Sequence, residues 1–450
     1  MNLLKEVLRH QVYPAMGCTE PVSVALCAAH AAKALGEPVR RASFTLDPGT
    51  YKNGMGVTLP NTGGEKGSLL AAALGLVIAE PGLGMEILKA ATPKRLAQAK
   101  ALLRGRVVGM RALRGEKRIR VEARVSGGGH KARCLISDSH TAVSVLEKDG
   151  RRLMEGDWTP LPKPAAYKDR LRRLTLKDMT RLAARADRED LAYIRKGVDM
   201  NLAAAREGMK IRKVGFYLQD LLKKGYLLDD VFSSSKILTA CAADARMDGA
   251  PVPVMSSGES GNQGIVAILV PYNVGKAFKV PERRILESIA FSHLLNAYVK
   301  VFTGGLAPIC GCAIAAGVGA SAAVVYQQRG ADLRGITLAV NNVISDLGGM
   351  LCDGAKSGCS LKVVSSTDAS IRSAYMGINH YGITELEGFV GRTAEKTIQN
   401  LARISTVGME KVDRTIVDIM LDKQGCRAAG AARHRVPRED VGRVCRACDA

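Results

Sequence analysis

The chain is short of large rings and of long apolar runs. Aromatic residues make up 4% of 450 positions, with a single Trp, whereas Gly alone numbers 47. A chain rich in Gly and Ala with few bulky side chains suits helices that approach closely through small residues. No stretch of 18 or more apolar residues lacks charge or strong breakers, so no membrane span is expected. Met1–His10 reads as an amphipathic helix without an apolar core and cleavage site, which excludes a secretory signal. Both absences point to a cytoplasmic protein. Acidic residues are in deficit too, 43 against 65 Lys and Arg, for a formal charge of +22. Such a charge invites nucleic acid. Yet the basic residues are dispersed, and no helix-turn-helix, zinc finger or aromatic-studded RNA motif accompanies them. The densest region, Lys89–Arg124, carries twelve Lys/Arg less two Glu, a local +10, alternating with apolar residues as on a solvated strand face. No nucleic-acid partner is expected; attraction of a small anion is compatible with the charge.

What the chain has in excess is cysteine, eleven in all. An odd number at irregular spacing argues against a disulfide scaffold and for reduced thiols. Cys27, Cys134 and Cys241 lie in apolar or strand-like sequence and read as packed small hydrophobes.

The order of patterns predicts an α+β protein: a mixed α/β N-terminal part with an antiparallel sheet, then a mostly α-helical catalytic domain. Residues 1–35 read as helices broken at Pro14–Gly17. Arg40–Leu46 alternates like a strand and enters a turn at Asp47–Thr50, followed by Gly-rich sequence around Asn53. Leu69–Ile78 reads as a buried helix, and Arg106–Leu153 as short antiparallel strands. Trp158–Lys168, with Pro160, Pro162 and Pro164, is the linker candidate. Helical periodicity then dominates, including Pro281–Phe302, Ala313–Gln327, Leu333–Gly349, Ala369–Met376, Ile383–Glu387 and a long last helix from Arg392. The expected domains are 1–157, carrying Cys18 and Asn53; 158–424, helical; and 425–450, a flexible basic extension.

Four thiols, Cys310, Cys312, Cys352 and Cys359, fall within fifty residues amid small side chains. Structural zinc prefers two tight C-x₂₋₄-C knuckles, and neither pair has that spacing. Iron–sulfur clusters tolerate looser spacing, because the inorganic core supplies the geometry. Spacing alone leaves cluster, zinc and merely packed thiols open. Cys18, after Gly17 at a helix start, is placed for a lowered thiol pKa and so for a base, nucleophile or ligand role. Ser256–Gly264 strings small residues into a nest for a carboxylate or phosphate, without the Gly-Lys-Ser/Thr of a nucleotide loop. Asp244, Arg246, Ser292, His293, Lys300, Asp353 and Lys356 are lesser candidates.

Gly17-Cys-Thr-Glu-Pro21, Lys52-Asn-Gly-Met-Gly-Val57, Ser260-Gly-Asn-Gln-Gly-Ile265, Cys310-Gly-Cys312 and Cys352-Asp-Gly-Ala-Lys356 with Cys359, in this order, resemble the L-cysteine desulfidase family, related to iron–sulfur L-serine dehydratases. The resemblance spans about residues 5–422. It implies a [4Fe–4S] cluster on three cysteines with one iron open to substrate: Cys352, Cys359 and one of Cys310 and Cys312. It implies that Cys18 transfers a proton, as a thiolate base. Thr19, Glu20, Asn53, Ser260, Asn262 and Gln263 would bind an amino-acid substrate. Asp353 and Lys356 would orient the cluster thiolates. The expected reaction is β-elimination from L-cysteine to sulfide, ammonia and pyruvate, without pyridoxal phosphate, with L-serine deamination or a non-catalytic iron–sulfur or zinc redox sensor as the other readings. Glu259 departs from the family pattern, where a small residue is expected. In related serine dehydratases a C-terminal cysteine caps the open iron, a role Cys448 would fill here. Small-residue helices leave room for a homodimer.

Overall fold

The computed structural model describes residues 2–113, 116, 118–153 and 165–433, the side chains of 165 and 424–433 excepted. Residues 158–164 of the linker candidate, and the tail cysteines Cys445 and Cys448, lie outside the described residues, while 165–168 already belong to a helix.

The chain opens with α1 (Leu3–Gln11), the two-residue strand β1 (Pro14–Ala15) and α2 (Thr19–Leu35). Strand β2 (Arg41–Leu46) leads into α3 (Pro48–Gly54), where the sequence suggested only a turn. The difference is a capping effect. Asp47 accepts from the Thr50 amide at 2.8 Å and Pro48 presets the first helical φ, so the Asp-Pro pair nucleates a helix instead of reversing the chain. Then come α4 (Ser68–Ile78), a 3₁₀ segment (Pro81–Ala90), α5 (Pro93–Arg104) and strands β3 (Val108–Ala112), β4 (Arg120–Ser126), β5 (Lys131–Ser137), β6 (Val143–Lys148) and β7 (Arg151–Arg152).

These strands form a six-stranded sheet with β2, in the order β3-β2-β4-β5-β6-β7. All neighbouring pairs are antiparallel except β2 and β3, which run parallel. The expected antiparallel sheet is therefore mixed at one edge. The long helical excursion between β2 and β3 is the kind of crossover that a parallel pair requires. One face of the sheet packs on α2, which packs on α4. Gly75 makes the second contact possible, since a Cβ there would lie 2.1 Å from the Ala25 carbonyl oxygen. Cys27 and Cys134 are buried in this core, as expected. The other sheet face carries Arg120, Arg124 and Arg133 around Glu122.

The second half is helical: α6 (Ala165–Arg172), α7 (Leu176–Ala184), α8 (Arg188–Gly208), α9 (Val214–Lys223) and α10 (Val231–Met247), the short strand β8 (Val254–Met255), then α11 (Gly261–Ala277), α12 (Glu282–Thr303), α13 (Ala315–Arg329), α14 (Leu333–Leu347), α15 (Cys359–Ile378), α16 (Ala394–Arg403), a π turn (Ile404–Gly408) and α17 (Val412–Arg433). Helix α13 is central and packs on α11, α12, α14 and α15. Its glycines allow this: a Cβ at Gly319 would meet the Ser292 carbonyl at 2.7 Å. Helix α1 also buries Leu3, Leu4, Val7 and Leu8 in this helical core, not against the sheet.

Two helical expectations fail. Ile383–Glu387 forms turns, because Asn341 and Asn342 of α14 take up the carbonyl and amide of Ile383 at 3.0 and 2.9 Å, leaving them unable to serve a helix. The long last helix is broken at the π turn, where the Met409 amide reaches back to the Ile404 carbonyl at 3.0 Å. Helix α17 then runs on through Gly425. Among the described residues, no single helix is long and apolar enough to cross a membrane.

Candidate active site

Strand β1 pairs with β8, Pro14 opposite Met255 and Ala15 opposite Val254. This short ladder brings the Cys18 helix start beside the nest that follows β8. The Tyr13 amide donates to Ser256 Oγ at 2.9 Å, and the Glu259 amide to the Gln11 carbonyl at 3.2 Å. A second stitch joins the two thiol loops. Ile309 bridges Leu351, the Cys310 amide donates to the Met350 carbonyl at 2.8 Å, and the Cys352 amide to the Pro308 carbonyl at 2.7 Å. Helix α3 lies between the stitches. Gly354, at φ +95°, comes so near it that a Cβ would sit 2.7 Å from the Lys52 carbonyl oxygen.

The result is one cavity lined by Cys18, Glu20 and Asn53, by Glu259, Ser260, Asn262 and Gln263, and by Cys310, Cys312, Cys352 and Cys359. Thr19 is not in the lining, and its hydroxyl donates to Glu20 Oε2 at 3.0 Å; of the lesser candidates, Asp244, Ser292, His293, Asp353 and Lys356 are not in it either. Arg246 and Lys300 also line the cavity.

Cys18 is the N-cap of α2, and Gly17, at φ +73°, makes the turn before it against Pro60. The helix-start position does not leave Cys18 as a thiolate. Burial first, and then the Glu20 carboxylate, push its pKa well up, and the thiol donates to Glu20 Oε2 at 2.8 Å. Glu20 is 7% exposed. Burial alone would raise its pKa, but the field of His140 and hydrogen bonds from Cys18 and Asn53 hold it down at about 2. Asn53 Nδ2 reaches Glu20 Oε1 at 2.7 Å, while the Cys352 thiol faces Asn53 Oδ1 at 4.0 Å.

Ser260 caps α11 without a side-chain cap bond, leaving its hydroxyl toward the cavity. Asn262 Oδ1 accepts from Arg246 at 3.1 Å. Gln263 is wedged between two glycines. A Cβ at Gly258 would lie 2.8 Å from its Oε1, and one at Gly311 would lie 2.7 Å from its Nε2. Its Oε1 is buried with no hydrogen-bond partner, as is Arg246 Nε. Buried polar atoms without partners on a cavity wall are what a polar ligand satisfies.

The Cys310 and Cys312 sulfurs are 3.2 Å apart. The hydrogen bond between the two sulfurs holds the Cys310 pKa down and pushes that of Cys312 up. Cys310 lines the cavity from a buried position in the helical core, whereas Cys312 and Cys352 are half-buried at its edge. Asp353 is paired with Lys356 and Lys362, and Lys362 donates to the Leu351 carbonyl at 2.6 Å. Among the described residues, no group of three His, Cys, Asp or Glu converges on one point as a single metal ion demands.

Sequence reasoning missed Lys52, His140 and Lys168. His140 is buried 3.4 Å from Glu259, and Lys168 stands 3.8 Å from it. Burial would lower the His140 pKa, but Glu259 and Glu20 raise it. Glu259, at φ 65°, holds a left-handed backbone that favours glycine. Its carboxylate is matched by cations, so it does not act as a bare negative charge. His293 of α12 is fully buried, its Nδ1 2.8 Å from Ser257 Oγ, and burial lowers its pKa to about 3.

A mixed sheet abutting a helical body, with a cavity lined by thiols, carboxylates and cations, defines an α+β protein. A profile of the serine dehydratase alpha chain matches residues 83–418. Over 423 residues, 94% of this chain and 100% of the relative, it is 62% identical to a UPF0597 protein of Elusimicrobium minutum. It is 55% identical over 425 residues to a UPF0597 protein of Geobacter sulfurreducens and 39% over 422 to one of Clostridium tetani, covering 94% of this chain and 99% of each relative. The chain belongs to the serine dehydratase alpha chain family, in its UPF0597 branch. The profile takes in the nest and all four thiols, while Cys18, Glu20 and Asn53 precede it.

Proposed function

We propose that the protein is a cytoplasmic [4Fe–4S] lyase that converts L-cysteine to hydrogen sulfide, ammonia and pyruvate by β-elimination. The observation that carries the reading is the convergence of four thiols with the Cys18–Glu20 pair and the Ser260–Gln263 nest on one cavity. The donor set fits a cluster. Its ligands are soft thiols that do not close on one point, and a cluster needs thiolates only at the corners of its inorganic core. Lys52 and Lys362 sit on the carbonyls of Cys352 and Leu351, placing positive charge beside an anionic group. Cys352, Cys359 and Cys312 would hold it. Cys312 is chosen over Cys310 because it is the less buried of the two. When bound, such a cluster supplies an open iron as Lewis acid for the substrate carboxylate and leaving group.

The chain's own residues do the rest. Arg246, Ser260, Asn262 and Gln263 grip the substrate carboxylate. Glu20 and Glu259 present carboxylate oxygens to its ammonium group. Cys18, sharing its proton with Glu20, is the proton-transfer group at the α-carbon. The nest and the two stitched loops fix these groups against each other before substrate arrives. The Cys18 thiol passes its proton to Glu20 Oε2 and then takes the α-proton, the electron pair of the Cα–H bond forms the Cα–Cβ double bond, and the β-sulfur leaves with the C–S pair as hydrosulfide. The aminoacrylate tautomerises to an imine, and water hydrolyses it to pyruvate and ammonia.

L-Serine is the second reading, favoured by the family name. Anaerobic purification, reconstitution with iron and sulfide, and assay of pyruvate from L-cysteine beside L-serine separate the two. Tightly bound zinc with no visible cluster absorption would refute both.

A further inference from the structure

Helix α17 packs on α3 beside the site. Lys52 of α3 is 2% exposed, and its ammonium group donates to the Cys352 carbonyl at 2.6 Å and to Asp413 Oδ1 at 2.6 Å. Asp413 lies in the first turn of α17, where a carboxylate suits the helix dipole, and its side chain is 25% exposed. A buried lysine needs its charge matched and its donors used. Here Asp413 supplies the charge, and the Cys352 carbonyl takes a second donor. On the next residue, Asn53 faces the Cys352 sulfur and Glu20. Gly354 lets the same loop lie directly on the Lys52 backbone. Asp353, the acid nearest in sequence, is engaged with Lys356 and Lys362.

We propose that Asp413 is a positioning residue: by holding Lys52 on the Cys352 carbonyl, α17 clasps the Cys352 loop in its ligating position. The inference rests on Cys352 being a cluster ligand. Its mechanical content does not, because the contacts join the chain's own residues. Without Asp413, the ammonium group has one buried partner fewer and turns toward solvent. The carbonyl bond weakens with it, and the loop opens locally.

The test is alkylation of the full-length protein, stripped of iron under nitrogen, with iodoacetamide, each cysteine being quantified by mass spectrometry. Cys312, half-buried on the adjoining loop, is the internal reference. In Asp413→Asn, modification of Cys352 should accelerate about tenfold relative to Cys312, the effect of losing one charged hydrogen bond. Asp413→Glu should restore it to within about twofold. Lys52→Gln should reproduce the Asp413→Asn pattern. An unchanged Cys352 rate in Asp413→Asn overturns the clasp, and so does equal acceleration of both thiols, which signals general loosening. The readout needs no activity, so a cluster-free or inactive protein still decides it.

Discussion

The Cys18 thiol donates its hydrogen bond to Glu20 Oε2 at 2.8 Å, two residues on, in the first turn of a buried helix. The same carboxylate takes Asn53 from another helix at 2.7 Å. Glu20 thus links the Cys18 thiol to the residue that faces Cys352.

Removing Cys18 should therefore uncouple cluster from turnover. Cys18→Ala is expected to keep the visible absorption of the reconstituted protein while kcat falls about 10²–10⁴-fold, the usual worth of a positioned proton-transfer group. Stopped-flow or steady-state assays decide it. Full activity in this variant would remove Cys18 from the mechanism.

The thiols should divide unequally. Ser in place of Cys312, Cys352 or Cys359 should abolish stable cluster absorption after reconstitution. Cys310→Ser should retain it, because that side chain is buried in the helical core. The reverse behaviour of Cys310 and Cys312 would exchange their roles and leave the other two assignments standing.

Glu259 is proposed to meet the substrate's ammonium group. Glu259→Gln keeps the shape but leaves His140 and Lys168 without their counter-charge. The KM for the amino acid should rise about tenfold with kcat within about twofold, the pattern of lost uniform binding. A fall in kcat at constant KM would instead place Glu259 in the chemistry.

Away from the site, Glu122 should govern acid stability. Burial alone would raise its pKa, but hydrogen bonds from Arg133, Arg120 and Arg124 pull it down to about 2, below its ordinary value of 4.5. A depressed carboxylate stabilises the fold above the unfolded value and loses that contribution as pH falls from 4.5 toward 2. Discounted for solvent around the arginines, the effect is about 1–2 kcal/mol. Urea unfolding of Glu122→Gln should show that deficit at pH 7 and almost none near pH 2. A deficit independent of pH would mean that packing, not charge, is lost.

Much of the site was legible because its parts are short local strings. The Cys352–Cys359 pair, Cys310-Gly-Cys312 and the Ser260–Gln263 nest each carry their signal within a few residues. What assembles them is not local. The β1–β8 ladder joins Pro14 to Met255 with two residues per strand, too few for any alternation to register. His140 follows β5 in a polar loop with no motif around it, and Lys168 precedes its partner by ninety-one positions. Lys52 stood inside a recognised string, yet a lysine in glycine-rich sequence reads as a solvated charge until α17 is seen to cover it. The Cys18 thiolate was misread for a related reason. The helix dipole is visible in sequence, but the burial and the adjacent carboxylate that outweigh it are tertiary facts.

A thiol-held cluster is proposed here to serve the elimination of sulfide from an amino acid. The most direct measurement is one anaerobic time course of reconstituted protein with L-cysteine, following sulfide and pyruvate together. The account predicts equimolar sulfide and pyruvate, turnover lost on exposure to air, and a higher kcat/KM for L-cysteine than for L-serine. Protein with full visible cluster absorption that forms neither product, or that forms pyruvate from L-serine alone, would contradict it.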